Sequence, residues 1–212
     1  MKLLDFGSLN IDHCYQLPHL VRPGETIGSS HYQRNGGGKG FNQALAFAKA
    51  GQQVYMAGAI GRDGLFLRDA LTECGVDVRW LQVIDEPTGH AIIQVDDQGN
   101  NSIILYGGAN QQNTLERIDR ALSGFGPGDY VLLQNEMNLG EAVIERAKAK
   151  GMQVILNPSP ATPALLSWPL GQVDWLILNE IEGHDLTGES APEKILDVLR
   201  QRYPSCRVVL TL

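Results

Sequence analysis

The sequence predicts an α/β fold: a mostly parallel sheet with helices on both faces, plus a small β lid. From residue 54 onward, apolar strand-like runs alternate with helical patterns, which implies parallel strands joined by covering helices. A hairpin pattern interrupts this alternation between residues 88 and 106. A chain of 212 residues, 43% of them hydrophobic, can bury one substantial core. We therefore expect one domain over residues 1–212, with the lid strands within about 13–34 and 88–107.

The composition and net charge of the chain argue against some classes of binding partner. The net charge of -7 and the absence of a basic run argue against nucleic acid or a membrane surface as the main partner. No apolar stretch is long enough for a signal peptide or a membrane span. Cys14, Cys74 and Cys206 are odd in number, far apart and without C-x-x-C spacing, so we interpret them as reduced packing residues. These features predict a cytoplasmic protein.

The first strand is expected over Leu3 to Asn10. Its carboxyl end would carry an amide, Asn10, and a carboxylate, Asp12, at the edge where open α/β sheets bind ligands. A cap or turn role for these two residues is equally compatible with the local sequence. Weak strand patterns over 15–17 and 28–34, separated by prolines and a glycine, fit short excursions from the main sheet.

The remaining elements follow from apolar periodicity and turn residues. Strands are predicted at 54–60, 79–84, 130–134, 153–157, 175–178 and 207–212. Helices are predicted at 65–74, 114–122, 139–150 and 192–202. The segment Asp96 to Asn100 lies between two alternating runs and predicts the hairpin of the lid.

A glycine-rich segment, Asn35 to Gln43, runs into the first helical pattern. Four glycines within five positions indicate a sharp bend or a close approach of the backbone to a ligand. At a helix start, free N–H groups and the helix dipole would point outward, and Lys39, Asn42 and Gln43 would add polar groups. A plain glycine turn with a solvated lysine is the structural alternative.

The glycine segment matches neither of two common nucleotide motifs. A Walker A loop needs Ser or Thr after the lysine and a glycine five positions before it, whereas Gly40 follows Lys39 and Arg34 precedes it by five. In a dinucleotide fingerprint, Phe41 would occupy the third glycine position. We also expect no strand to lead directly into this loop.

Polar residues follow three later strands. Glu136 is interpreted with equal weight as a helix cap or a ligand carboxylate, and the segment Asn157 to Ala161 is best explained as a structural turn. Asn179 and Glu182 lie one helical turn apart, which suits a hydrated Mg²⁺ on a nucleotide, with helix capping as the alternative. Together the candidates suit a hydroxyl-rich ligand such as a sugar better than a polyanion. They are Asn10, Asp12, Gly38, Lys39, Asn42, Glu136, Asn179 and Glu182.

Six ordered motifs carry a family resemblance. They are Gly7 to Asp12, Pro23 to Thr26, Gly37 to Ala44, Gly107 to Asn110, Asn157 to Ala161, and Asn179 to Glu182 with Leu186 to Gly188. In order and spacing these motifs resemble the ribokinase-like carbohydrate kinases over essentially the whole chain. The resemblance implies transfer of the γ-phosphoryl group of ATP to a hydroxymethyl group of a small sugar. The form of the glycine loop makes ribose the first substrate to consider.

The resemblance also implies roles for individual residues. The sugar hydroxyls would be held by Asn10, Asp12, Gly38, Lys39, Asn42 and Glu136. The nucleotide phosphates and Mg²⁺ would be served by Asn179, Glu182 and Thr211, with the metal contacting Glu182 through water. A monovalent cation such as K⁺ stays an open question. The lid would pair two subunits, which implies a homodimer.

One family motif has no counterpart. No Gly-Ala-Gly-Asp segment occurs in the sequence, and in the family such a segment supplies the base aspartate and anion-stabilising amides. We expect the 212 residues to be the amino-terminal part of a longer kinase, inactive alone, with the base aspartate beyond Leu212. A non-catalytic sugar-binding or regulatory protein is the second hypothesis. An NAD-dependent Rossmann protein is disfavoured because its fingerprint is missing.

Overall fold

The computed structural model describes residues 1–212, which form eleven strands and six α-helices. The strands are β1 (Leu3–Phe6), β2 (Asn10–Leu17), β3 (His31–Gly37), β4 (Val54–Ile60), β5 (Asp77–Val83), β6 (Gly89–Asp96), β7 (Asn101–Tyr106), β8 (Tyr130–Gln134), β9 (Gln153–Asn157), β10 (Trp175–Asn179) and β11 (Arg207–Thr211). The helices are α1 (Lys39–Lys49), α2 (Leu65–Glu73), α3 (Leu115–Leu122), α4 (Gly140–Ala149), α5 (Glu180–Thr187) and α6 (Pro192–Arg202). None of these helices combines the length and apolar character needed to cross a bilayer.

Two sheets confirm the predicted fold class. Seven strands form a wholly parallel sheet in the order β11-β10-β9-β8-β1-β4-β5. The other four form a smaller mixed sheet, the lid sheet, in the order β3-β2-β6-β7. In the lid sheet β2 is parallel to β6, and the two outer pairs are antiparallel. The break after β1 at Gly7 therefore carries the chain from one sheet into the other.

The core lies on both faces of the main sheet because successive side chains of a strand point in opposite directions. Leu4 and Phe6 of β1 pack in a cluster with α3, α4 and α6. Leu3 packs on the other face in a cluster with α1 and α2. This division requires helices on both faces, as the alternation of elements in the sequence predicts.

Most predicted elements are present with bounds close to those observed, but the first strand and helix α5 differ from the sequence-based expectation. The first strand ends at Phe6, and Asn10 begins β2 instead of ending β1. The predicted single strand is wrong because Gly7 breaks the run between two strands. Helix α5 was not among the predicted helices, since it spans eight residues with only two large apolar side chains, Ile181 and Leu186.

The glycine loop is shorter than its composition suggests. Strand β3 ends at Gly37 and α1 begins at Lys39, so only Gly38 separates the two. The expectation that no strand leads into the loop is therefore wrong. Strand β3 lies at the edge of the lid sheet and pairs through its backbone with β2, so most of its side chains are exposed and show little apolar alternation. The lid sheet is thus joined directly to the helix that follows it.

Candidate functional site

A cleft lies between the lid sheet and the carboxyl ends of the main-sheet strands, and it contains two cavities. The first, of about 280 Å³, is lined by Asn10, Asp12, Gly38, Lys39, Asn42, Ala91, Ile93, Ile103, Leu105 and Glu136. The second, of about 220 Å³, is lined by Lys39, Asn157, Ser159, Ile177, Leu178, Asn179, Glu182 and Thr211. Lys39 borders both, so the two cavities meet at the start of α1.

The first cavity brings together all six residues that the sequence analysis placed around a sugar. Its other wall is apolar and comes from the lid. The hairpin was predicted from the sequence, but its four side chains that line the cavity were not: Ala91, Ile93, Ile103 and Leu105. They alternate along β6 and β7, so strand periodicity could have placed them on one face. The cavity therefore has one polar wall and one apolar wall.

Asn10 is held in place by a neighbouring asparagine. Its Oδ1 accepts a hydrogen bond of 2.8 Å from Nδ2 of Asn110. Asn110 Nδ2 also donates to the Leu9 carbonyl, and Asn110 Oδ1 accepts from the Leu9 N–H. Asn10 is only 4% exposed, and its Nδ2 donates to no group within the chain. This amide is consequently an oriented donor at the cavity wall. Asn110 lies in one of the resembling motifs, but the sequence analysis assigned it no role.

Asp12 makes no side-chain hydrogen bond within the chain, so its carboxylate oxygens are available to a ligand. Burial raises the pKa of Asp12 from its ordinary value, the nearby charge of Glu136 raises it further, and His13 opposes the shift. Gly37 makes room for this carboxylate, because a Cβ at that position would lie only 2.1 Å from Asp12 Oδ2. The absence of a side chain at residue 37 thus determines where the carboxylate sits.

The first N–H groups of α1 are not free, contrary to expectation. The Lys39 N–H donates over 3.1 Å to Oε2 of Glu136, and the Ser8 hydroxyl donates to the same oxygen. Ser8 accepts in turn from the N–H groups of Gly40 and Phe41. Only the N–H of Gly38 lacks a partner within the chain. An internal carboxylate therefore complements the positive end of the helix.

This arrangement determines the kind of ligand that the first cavity suits. Two carboxylates, Asp12 and Glu136, face one ammonium group, and Lys39 Nζ lies 4.0 Å from Glu136 Oε1. An anion placed here would meet a helix terminus already occupied by Glu136. A neutral ligand rich in hydroxyl groups would instead donate to the carboxylates and accept from Asn10 and Gly38.

The second cavity contains the three residues predicted to serve a nucleotide. Asn179 and Glu182 form a reciprocal capping box at the start of α5: the Glu182 N–H donates to Asn179 Oδ1 over 2.9 Å, and the Asn179 N–H donates to Glu182 Oε2 over 3.0 Å. The capping alternative is therefore confirmed. Thr211 pairs with Asn179 across β10 and β11. Asn157, which was interpreted as part of a structural turn, also lines this cavity.

The protein side chains alone do not form a metal cage. No group of three or more histidine, cysteine, aspartate or glutamate side chains is placed to hold an ion. Glu182 is buried, and its Oε1 makes no hydrogen bond within the chain while the residue lines the second cavity. This donor set is compatible with Mg²⁺ that keeps most of its water and contacts one carboxylate through a water molecule.

Comparisons with known proteins show which family this chain resembles. The model of the pfkB family carbohydrate kinases matches residues 2–212. A ribokinase from Haemophilus influenzae is 36% identical over 187 residues, covering 86% of this chain and 61% of that protein. The crystal structure of a Cryptococcus neoformans ribokinase in complex with ADP matches with a TM-score of 0.81, 37% identity and coverage of 100% of this chain and 72% of that one.

A further solved structure is a complex with both a sugar and a nucleotide. The structure of Arabidopsis thaliana ribokinase complexed with ribose and ATP matches with a TM-score of 0.81 and 32% identity, covering 99% of this chain and 71% of that chain. The present chain therefore spans less than two thirds of the Haemophilus relative and under three quarters of the two solved chains.

Proposed function

Because the chain belongs to the pfkB family of carbohydrate kinases, we propose that its two cavities bind a small sugar and ATP. The reaction is transfer of the γ-phosphoryl group to a hydroxymethyl group of the sugar. Ribose is the first substrate to test, since a relative of similar fold was solved with ribose and ATP. Fructose, deoxyribose and nucleosides offer similar hydroxyl groups and are the competing substrates.

The observation that carries this proposal is the lining of the first cavity. Five polar side chains and the backbone of Gly38, drawn from positions 10 to 136, converge there beside the apolar side chains of the lid. Asp12 and Glu136 would accept hydrogen bonds from sugar hydroxyl groups, while Asn10 Nδ2 and the Gly38 N–H would donate. Lys39 and Asn42 complete the polar wall. A sugar presents hydroxyl groups on its edges and C–H groups on its faces, so it complements both walls.

The second cavity would take the nucleotide phosphates. Lys39 borders both cavities, so its ammonium group would lie beside a phosphoryl group moving from ATP to the sugar. Asn179, Glu182 and Thr211 would position the nucleotide. Mg²⁺ would supply positive charge to the phosphates, with Glu182 contacting it through water. Dependence on a monovalent cation such as K⁺ is tested by comparing K⁺ with Na⁺ in the kinase assay.

The catalytic base is not assigned within these residues. The carboxylates of the first cavity are Asp12 and Glu136, and both are placed to accept hydrogen bonds from the sugar. Binding without catalysis is therefore a second candidate function, that of a sugar-binding or regulatory protein. Turnover of ATP that depends on the sugar separates the two, because a binding protein would show affinity for the sugar without release of ADP.

We further propose that the protein acts in the cytoplasm as a homodimer paired through its lid. All six residues of β7 are exposed, and β7 is an edge strand of the lid sheet. An exposed apolar edge strand is a surface that proteins commonly cover. A second copy of the chain would cover it and would also shield Ile103 and Leu105 at the cavity mouth.

The decisive experiment measures ribose binding by calorimetry, together with ADP release across a panel of sugars. Asp12→Ala should weaken ribose binding or kcat/KM by about ten- to a hundredfold, because it removes a charged hydrogen-bond acceptor. Asp97→Ala, at the exposed hairpin turn of the same lid, is the matched control and should change neither. Unchanged ribose affinity in Asp12→Ala would show that the sugar site is assigned wrongly.

A further inference from the structure

A row of side-chain amides runs from the buried end of β8 to the wall of the second cavity. Gln134 Nε2 donates to Gln43 Oε1 over 2.7 Å, and Gln43 Nε2 donates to Asn157 Oδ1 over 3.1 Å. Asn157 Nδ2 then donates to the backbone carbonyl of Ile177 over 2.9 Å. We call these three side chains the amide row. It begins in the buried core at β8 and ends at Asn157, in the wall of the second cavity.

The direction of the amide row is determined at its outer end. A backbone carbonyl can only accept, so Asn157 must present its NH₂ group to Ile177 and its oxygen to Gln43. Gln43 must then present its own oxygen to Gln134. Reversing any one amide would place two acceptors or two donors against each other, so the orientation of Gln134 follows from the carbonyl of Ile177.

Asp5 lies at the inner end of the amide row. It is fully buried, and its Oδ1 accepts over 3.1 Å from the same Gln134 Nε2 that donates to Gln43. Both hydrogens of that NH₂ group are thereby used. Two buried oxygens then have no donor: Asp5 Oδ2 and Gln134 Oε1. A Cβ on Gly7 would lie 2.5 Å from Gln134 Oε1 and 2.6 Å from Asp5 Oδ1, so the two side chains crowd around the same point.

We propose that Asp5 is a neutral carboxylic acid in the folded protein and that its proton supplies the donor that Gln134 Oε1 lacks. An ionised Asp5 would leave two buried acceptors unpaired beside a buried charge, which is costly in free energy. Its neighbours across the sheet are Met56 and Leu132, and no charged side chain contributes to its titration. Burial raises the pKa of Asp5 well above its ordinary value, against a smaller opposing effect of the Gln134 hydrogen bond.

Asp5 thereby becomes a positioning residue for the second cavity. It holds Gln134 at two points, Gln134 holds Gln43, and Gln43 holds Asn157 at the cavity wall. This consequence for nucleotide binding rests on the proposed function, whereas the protonation of Asp5 does not.

Infrared spectroscopy of the protein labelled with ¹³C at the aspartate side-chain carboxyl tests the protonation directly. At pH 7 we expect a C=O stretching band of a protonated carboxylic acid that disappears in Asp5→Asn and persists in the surface variant Asp97→Asn. Absence of this band from the unsubstituted protein, or its persistence in Asp5→Asn, would overturn the proposal.

Stability as a function of pH is the second measurement. The unfolded chain loses the Asp5 proton near pH 3.8 and the folded chain keeps it, so unfolding releases a proton above that pH. The unfolding constant of the unsubstituted protein, relative to that of Asp5→Asn, should rise by up to about tenfold per pH unit until the folded pKa is reached. A ratio independent of pH would contradict a neutral Asp5.

Nucleotide affinity tests the positioning role. The amide of Asp5→Asn can accept from Gln134 Nε2 and donate to Gln134 Oε1, so this variant should keep the ATP affinity of the unsubstituted protein. Asp5→Leu removes both bonds and should weaken ATP binding by about tenfold. Equal ATP affinity in Asp5→Leu would remove the positioning role. If Asp5→Leu does not fold, Gln43→Leu, which cuts the amide row at the helix, replaces it. Failure of every form to bind ATP would refute the nucleotide assignment and leave the infrared result standing.

Discussion

The backbone N–H of Lys39 donates over 3.1 Å to the carboxylate of Glu136, joining two residues 97 positions apart. This bond connects the start of α1 to the segment after β8, and so draws two walls of the first cavity together. It also places a negative charge at the positive end of the helix, which stabilises that charge without a ligand. The same carboxylate raises the pKa of Asp12 across the cavity.

The pH dependence of sugar binding should therefore report on the pair of carboxylates. Asp12 accepts hydrogen bonds from hydroxyl groups best when ionised, and its pKa lies above the ordinary value of 3.8. Ribose affinity should fall as the pH falls through that raised pKa. In Glu136→Gln the repulsion is lost, so the fall should move to lower pH even though the affinity at pH 7 is reduced. Calorimetric titrations between pH 4 and 8 measure both effects, and an unshifted profile would show that the two groups do not interact.

Gly37 should be intolerant of a side chain for a reason specific to Asp12. Gly37→Ala would place a methyl group within 2.1 Å of the present position of Asp12 Oδ2, so the carboxylate must move. We expect a loss of ribose affinity of about tenfold or more. Gly28→Ala is the matched control, because a Cβ there meets nothing within 4 Å. Titration of both variants with ribose measures the difference in affinity. Equal ribose affinities would show that the position of the Asp12 carboxylate is not critical for binding.

Two substitutions in the capping box of α5 test whether Asn179 and Glu182 serve the helix terminus or a ligand. Asn179→Ala removes the side-chain acceptor at the start of α5 and should lower the free energy of unfolding by about 1 kcal/mol. Glu182→Gln keeps an acceptor for the Asn179 N–H but loses its charge, so it should cost at most about 1 kcal/mol while weakening binding of Mg²⁺-ATP. Chemical denaturation measures the loss of stability in each variant, and titration with Mg²⁺-ATP measures the loss of nucleotide affinity. Unaltered Mg²⁺-ATP affinity in Glu182→Gln would restrict this carboxylate to the cap.

The lid surface should control assembly. Ile104 is 60% exposed on the lid face opposite the first cavity. Ile104→Lys should shift a lid-paired dimer toward monomer in sedimentation velocity, because it places a charge in the apolar contact. Leu166→Lys, at an exposed apolar residue away from the lid, should leave the sedimentation coefficient unchanged. A monomeric unsubstituted protein at all concentrations would refute the dimer.

The amino-acid sequence alone specifies the alternation of elements and the residue types at their ends. Runs such as Val54–Ile60 and Gln153–Asn157 carry enough apolar residues to predict strands with the observed bounds. The same reasoning predicted β3 only as a weak strand pattern over 28–34, because its pairing with β2 uses backbone groups and leaves most side chains in solvent. Apolar periodicity arises from side chains that are buried on one face of a strand, and an edge strand of the lid sheet buries few of its side chains.

Which polar groups already have partners within the chain depends on the fold. Read along the chain, Glu136 and the N–H groups of α1 both look available to a ligand, yet they bind each other across 97 residues. In the sequence, Asp5 is a single polar residue within an apolar strand. Its burial beside Gln134, which the fold brings about, is the reason to ask whether its carboxyl group is protonated. Sequence specifies which donors and acceptors exist. Their pairing depends on distances of about 3 Å between segments that the fold alone brings together.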